Sequence, residues 1–181
     1  MTAPLYLYLD TEYTSHEQPL LLALGLVSDG GEEFYAELSL QHAPFEDRQP
    51  LCNAFVQAEV LPQLGRGPSF ADEDKMAEAL ALWLGQWPSD TLIFVSYDWS
   101  TDFQLLEQLL LRLPQGASLL ARLEPVNLSI LNTEPSAEAA KALSWQQSLQ
   151  AEGVGAHHAL ADARALRAAY HSQSGGSSRN G

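Results

Sequence analysis

The sequence predicts an α/β domain built on one mixed sheet, and three observations carry that prediction. Three apolar runs of strand length follow one another before Leu40. Beyond them, helical periodicities alternate with further strand-like runs, the order expected of helices packed on a sheet. The chain has 181 residues, 46% of them hydrophobic, enough for one sizeable core and too few for two.

Each element follows from its own pattern. "LYLYLD" (Leu5 to Asp10), with Pro4 before it, reads as a buried strand. "PLLLALGLVSD" and "EEFYAELSL" are two more, joined by Asp29-Gly30-Gly31 as a hairpin turn, so the three strands form an antiparallel meander. "QHAPFEDRQP" is polar, contains proline and reads as loop. "NAFVQAEVLPQLGRGP" is a helix candidate cut by Pro62. "DEDKMAEALALWLGQW" has acids in its first turn and apolar Met76, Leu80, Trp83, Leu84 and Trp87, an amphipathic helix ending before Pro88. "TLIFVSY" is a central strand. Ser100 or Thr101 can cap the helix after it, "DFQLLEQLLLRL", which stops at Pro114-Gln115-Gly116. "VNLSIL" reads as one more strand, "SAEAAKALSWQQSLQAEG" as a helix stopped by Gly153, and "HALADARALRAAYH" as the last helix. The expectation is a sheet of five to six strands flanked by helices. One domain covers residues 1–171, with 172–181 as a flexible tail.

Composition narrows the function classes. A net charge of −14 argues against a long electrostatic footprint on nucleic acid and against sequence-specific duplex reading. It leaves room for an enzyme that grips a few nucleotides at one strand end, and carboxylates that hold divalent cations add to the acid count. The single cysteine, Cys52, rules out an internal disulfide and a Cys-rich zinc site. No apolar run reaches the ~18 residues of a membrane span, and "MTAPLYLYLD" lacks the basic and apolar regions of a signal peptide. A cytoplasmic protein without membrane contact is expected.

The acids are placed unevenly. Asp10 and Glu12, two apart at the end of the first strand, point to one face. Like charges held that close repel unless one is protonated or a cation lies between them. Hard oxygen ligands suit Mg²⁺ or Mn²⁺, and a solvated strand end with two acids is an equal account of the fragment alone. Asp98 and Asp102 follow the central strand, where taken alone a cap by Ser100, Thr101 or Asp98, with Asp102 in the first turn, is the better account. Asp162 shares a helical stripe with Ala159, Leu166 and Ala169 and therefore points inward, where an acid needs a partner. His157, five residues earlier, would lie about 140° away on a continuous helix. It faces the same site only from a loop, which Gly153 and Gly155 permit. Together, acids arriving from three elements beside a histidine suggest a two-metal site for phosphodiester chemistry, with the histidine accepting a proton from water.

In this order the residues resemble the three motifs of the DEDDh 3′–5′ exonucleases, the group that includes RNase T, oligoribonuclease and polymerase proofreading subunits. "DTEYT" is similar to the first motif, Asp-x-Glu-x-Thr, with Ser15 where a glycine is usual. "SYDWSTDFQLL" is similar to the second, Asn-x3-Asp, with Asp98 in the asparagine position and Asp102 in the ligand position; Asp98 stays a rival ligand. "HHALADA" is similar to the third, His-x-Ala-x2-Asp-Ala. The likeness spans about Leu5 to Tyr170, and small bacterial exoribonucleases with an Asp-Thr-Glu-aromatic first motif, and a segment similar to "FVQAEVLPQL", are nearest.

The resemblance implies a ribonuclease H-like fold and two divalent ions, Mg²⁺ or Mn²⁺, held by Asp10, Glu12, Asp102 and Asp162. It implies His157 as general base, single-stranded RNA or DNA 3′ ends as partners, nucleoside 5′-monophosphate products and, as in many members, a homodimer. RNA is favoured over DNA by the subfamily likeness alone. Thr11, Tyr13, Asp98, Trp99 and His158 are candidate substrate contacts, with Tyr13 and Trp99 able to stack on a base. Arg164 and Arg167 are candidates for phosphate contact or for a solvated helix face. Rival readings are a DNA-directed exonuclease, a metal-dependent phosphodiesterase of small nucleotides, and a non-catalytic binding module.

Overall fold

The computed structural model describes residues 3–174, and the expected flexible tail beyond them lies outside the described residues. Its centre is a six-stranded mixed sheet. β1 (Leu5–Tyr13), β2 (Leu21–Ser28) and β3 (Glu33–Leu38) form the antiparallel meander expected from the sequence. β5 (Ile93–Tyr97) pairs parallel with β1, and β6 (Leu123–Asn127) pairs parallel with β5. A two-residue strand, β4 (Ser69–Phe70), closes the other edge beside β3. The order is β4-β3-β2-β1-β5-β6, so β1 is interior and its end adjoins the end of β5.

Helices cover both faces. α2 (Glu73–Leu84), capped by Asp72, and α3 (Ser100–Leu111) bury Met76, Leu80, Leu84, Leu105, Leu106 and Leu109 against one face. α6 (Ala159–Ser174), backed by α5 (Pro135–Glu152), covers the other, where Tyr8 packs with Leu166, Ala169, Leu128, Leu131 and Ala137. α5 ends at Gly153, whose left-handed φ of 75° is the stop the sequence marks.

Several expectations need correction. "QHAPFEDRQP" is not loop: α1 (Ala43–Arg48) forms there, with Pro44 in its first turn, where a missing N–H costs nothing. Residues 54–63 do not make a regular helix. Val56–Val60 winds as a π-helical turn and Leu61–Gln63 as a 3₁₀ turn around Pro62. The last strand is Leu123–Asn127 and not "VNLSIL"; Ser129–Thr133 is 3₁₀. Pro125 is tolerated because β6 is an edge strand. A short helix, α4 (Gly116–Leu120), begins at the glycine read as a stop. α6 runs through Ser174, three residues past the expected domain boundary. No helix among the described residues is long and apolar enough to cross a membrane.

One close approach fixes how α6 sits. Asp10, Gly25 and Tyr35 lie in register across β1, β2 and β3 and present one face. A Cβ at Gly25 would stand 2.4 Å from the carbonyl carbon and oxygen of Ala159. The absent side chain therefore lets the first turn of α6 rest directly on the sheet, between Asp10 and Tyr35.

Candidate active site

A cavity of about 420 Å³ opens at the C-terminal ends of β1 and β5. Three pieces of the polypeptide bring their acids to it. β1 contributes Asp10 and Glu12, which share a face as strand spacing dictates. β5, parallel to β1, leads to Asp98 and to Asp102 in the first turn of α3. α6, seated on Gly25, carries Asp162 one turn in from its start. The capping account of Asp98, Ser100 and Thr101 fails: Trp99 takes the cap position, and the helix has no side-chain cap.

These acids form two groups. Asp10, Glu12 and Asp162 can place one carboxylate oxygen each within 4.8 Å of one another, and so can Asp10, Asp98 and Asp102. Asp10 belongs to both. Burial, then the charges of Asp162, Asp102, Glu12 and Asp98, push the Asp10 carboxyl well above its ordinary range. Glu12 is raised by burial and by Asp162 and Asp102. Burial also lifts Asp102 and Asp162 to about 7 each, against the hydrogen bonds that favour their charged forms.

The hydrogen bonds around the acids orient them. The Thr11 hydroxyl donates to Asp102 Oδ1 at 2.7 Å, so it orients that carboxylate. Asp102 Oδ2 is buried with no partner among the described residues. Asp162 accepts from Trp145 Nε1 on one oxygen and from the His157 main-chain N–H, at 2.9 Å, on the other. Asp98 Oδ2 accepts from Lys141 Nζ at 2.7 Å.

His157 lies off the helix, as its spacing from Asp162 requires, and lines the cavity. Its φ is 67°, a left-handed backbone that a histidine adopts at a cost of roughly 1–3 kcal/mol. The surroundings hold it there. Gln63 donates to Ala156 O and accepts from Gly155 N at 3.0 Å, Arg66 donates to Gly153 O, and Phe55 meets the His157 ring edge-on at 4.8 Å. Val56 and Val60 of the π-helical turn, between Phe55 and Gln63, line the same cavity.

The remaining expected contacts divide. Tyr13 and Trp99 line the cavity, and Trp99 is 59% exposed. His16 stands between them, bonded to the Tyr13 hydroxyl and 6.0 Å from the Trp99 ring. His158 corrects the expectation: it is buried, stacked on Tyr35 at 4.5 Å and turned away from the cavity, with burial pushing its pKa down to about 4. Arg164 and Arg167 also lie elsewhere. Arg164 pairs with Glu33 and Glu152, and Arg167 donates to the Asp29 carbonyl.

Sequence reasoning missed Lys141, Trp145, Phe55, His16 and Gln63. One signal was present: Lys141 and Trp145 are the only cation and the only aromatic of α5, four apart and hence on one face. Phe55, His16 and Gln63 carry no such signal, because an irregular segment sets their positions. No protein-family model and no curated protein matches this sequence.

Proposed function

We propose that this protein is a metal-dependent 3′–5′ exonuclease of the DEDDh type, acting on single strands and preferring RNA. The observation that supports it best is the pair of carboxylate triads sharing Asp10, with His157 bonded through its backbone to the acid of one of them. The donor set fits two hard divalent cations. It consists of carboxylate oxygens, one of them buried and unpartnered, and burial raises Asp10, Glu12, Asp102 and Asp162 above the ordinary carboxylate range. Asp10, Glu12 and Asp162 would hold one ion, and Asp10 with Asp102 the other, beside Asp98, whose carboxylate is bonded to Lys141. When bound, such a pair neutralises charge on the phosphodiester and acidifies a nearby water.

The protein's own residues do the rest. Thr11 and Trp145 fix the carboxylates of Asp102 and Asp162. His157, held on its loop by Gln63 and Phe55, accepts the proton of the attacking water. Trp99, Tyr13 and His16 offer an aromatic wall on which a terminal base can stack. The net charge of −14 agrees with a grip limited to a strand end. Single-stranded 3′ ends as partners, a homodimer and a cytoplasmic setting belong to the same proposal and rest on resemblance and composition.

The test uses 5′-labelled single-stranded RNA and DNA of one sequence with Mn²⁺, Mg²⁺ or EDTA. A ladder shortening from the 3′ end, lost in EDTA and in Asp10→Ala and His157→Ala, is expected, faster on RNA. Cleavage of mononucleotide esters with none of oligonucleotides would instead make it a small-nucleotide phosphodiesterase. No Mn²⁺ binding and no cleavage would leave a binding module.

A further inference from the structure

Among the described residues, Lys141 is the only lysine or arginine lining the cavity. It projects from α5 and is held twice: Nζ donates to Asp98 Oδ2 and to Asn132 Oδ1, both at 2.7 Å. Its side chain is 13% exposed, as is that of Asp98, so the pair is neither a solvated surface bridge nor sealed in the core. An ammonium has three protons, and two are engaged, which leaves one for a ligand in the cavity.

Charge gives this lysine a purpose. Five carboxylates, those of Asp10, Glu12, Asp98, Asp102 and Asp162, line one cavity. Two divalent cations balance four of them. Without a further positive charge, an entering phosphodiester would meet a site of its own sign. Lys141 balances the fifth, and it does so at Asp98, an acid of only one triad. A flexible four-carbon stem with a compact charge suits a group that keeps its anchor while turning its free proton to an oxygen.

We propose that Lys141 is the phosphate contact of this site, with Asp98 and Asn132 as the two anchors that hold its ammonium toward a non-bridging oxygen of the bound strand. Asp98 then serves in the asparagine position of the second motif by seating this lysine. The inference rests on the nuclease reading and extends it to a named contact.

Isothermal titration of adenosine 5′-monophosphate in Mn²⁺, with Mn²⁺ affinity read separately by electron paramagnetic resonance, tests it on the full-length protein. Lys141→Met is expected to weaken nucleotide binding at least tenfold while Mn²⁺ affinity stays within about twofold, and Lys141→Arg to recover part of the loss. Unchanged nucleotide affinity in Lys141→Met would overturn the proposal. So would a parallel loss of Mn²⁺ and nucleotide affinity, which would make Lys141 an organiser of the acids only. Failure of the unaltered protein to bind the nucleotide overturns this proposal together with the nuclease reading, whereas nucleotide binding unaffected by Lys141→Met overturns this one alone.

Discussion

Two buried carboxylates, one on the sheet and one in the first turn of α3, are treated in opposite ways. Glu37, on β3, is fully buried, and both its oxygens are satisfied: one accepts from the Tyr35 hydroxyl at 2.7 Å, the other from the Gly65 N–H at 2.9 Å. Asp102, almost as buried, has one oxygen bonded to Thr11 and the other bare. Glu12 and Glu37 even stand in one register line, through Ala23. The same fold therefore can complete the bonding of a buried acid, and at Asp102 it does not. An incomplete shell on acids that repel one another is what an oxygen-ligated cation requires, at the expense of the unloaded protein's stability.

That contrast can be broken most severely at Asp10, the acid common to both triads. Asp10→Asn should lower cleavage by roughly 10³-fold or more, the loss of several kcal/mol of transition-state charge stabilisation, with the fold intact by circular dichroism. His157→Ala should cost about 10²–10⁴-fold in kcat and leave Mn²⁺ affinity unchanged, since it removes a proton acceptor and no ligand. Gly25→Ala should destabilise by about 1–3 kcal/mol in urea melts, because a methyl group there meets the backbone of α6.

The comparison is sharpened by two neutralising changes of opposite expected sign. Glu37→Gln should lower stability in EDTA by about 1–3 kcal/mol, because an amide cannot accept on both sides. Asp102→Asn should raise it, by on the order of 1 kcal/mol or more, because it removes charge from a crowded site. Equal destabilisation by both would end the distinction between them.

A further prediction concerns pH. The folded pKa of Asp102 and Asp162, at about 7, exceeds the ordinary carboxylate value of 3.8, so the folded state binds more protons between those limits. Their contribution to stability is thus full below about 4 and lost as pH rises through about 7. In EDTA the melting temperature should climb as pH is lowered from 8 toward 5, and Mn²⁺, which competes with those protons, should flatten the profile. A melting temperature that falls throughout on acidification, as for ordinary paired carboxylates, would contradict this.

How much of this the sequence reveals depends on whether an element is regular. Strand alternation placed Asp10 and Glu12 on one face, and the five-residue spacing of His157 and Asp162 required the loop that Gly153 and the left-handed His157 supply. Parallel pairing of β1 with β5, which joins the two halves of the site, is a tertiary fact that no local pattern encodes. His158 misleads because adjacent identical residues carry no sign of which one turns inward; only the stack on Tyr35 decides it. The wall formed by residues 54–63 escapes for a different reason. Its π-helical and 3₁₀ turns follow neither the helical nor the strand period, so Phe55 and Gln63 cannot be assigned a face from spacing.

Gly25 has one more consequence. The gap between Asp10 and Asp162 is set by backbone resting on backbone, with no rotamer in between. Side chains elsewhere in the core can be exchanged and repacked without altering that spacing, provided this one position stays bare. The geometry of the cavity is therefore insulated from most of the drift its own core can undergo, and a lineage of such proteins could diverge almost everywhere while the distance between two acids held still.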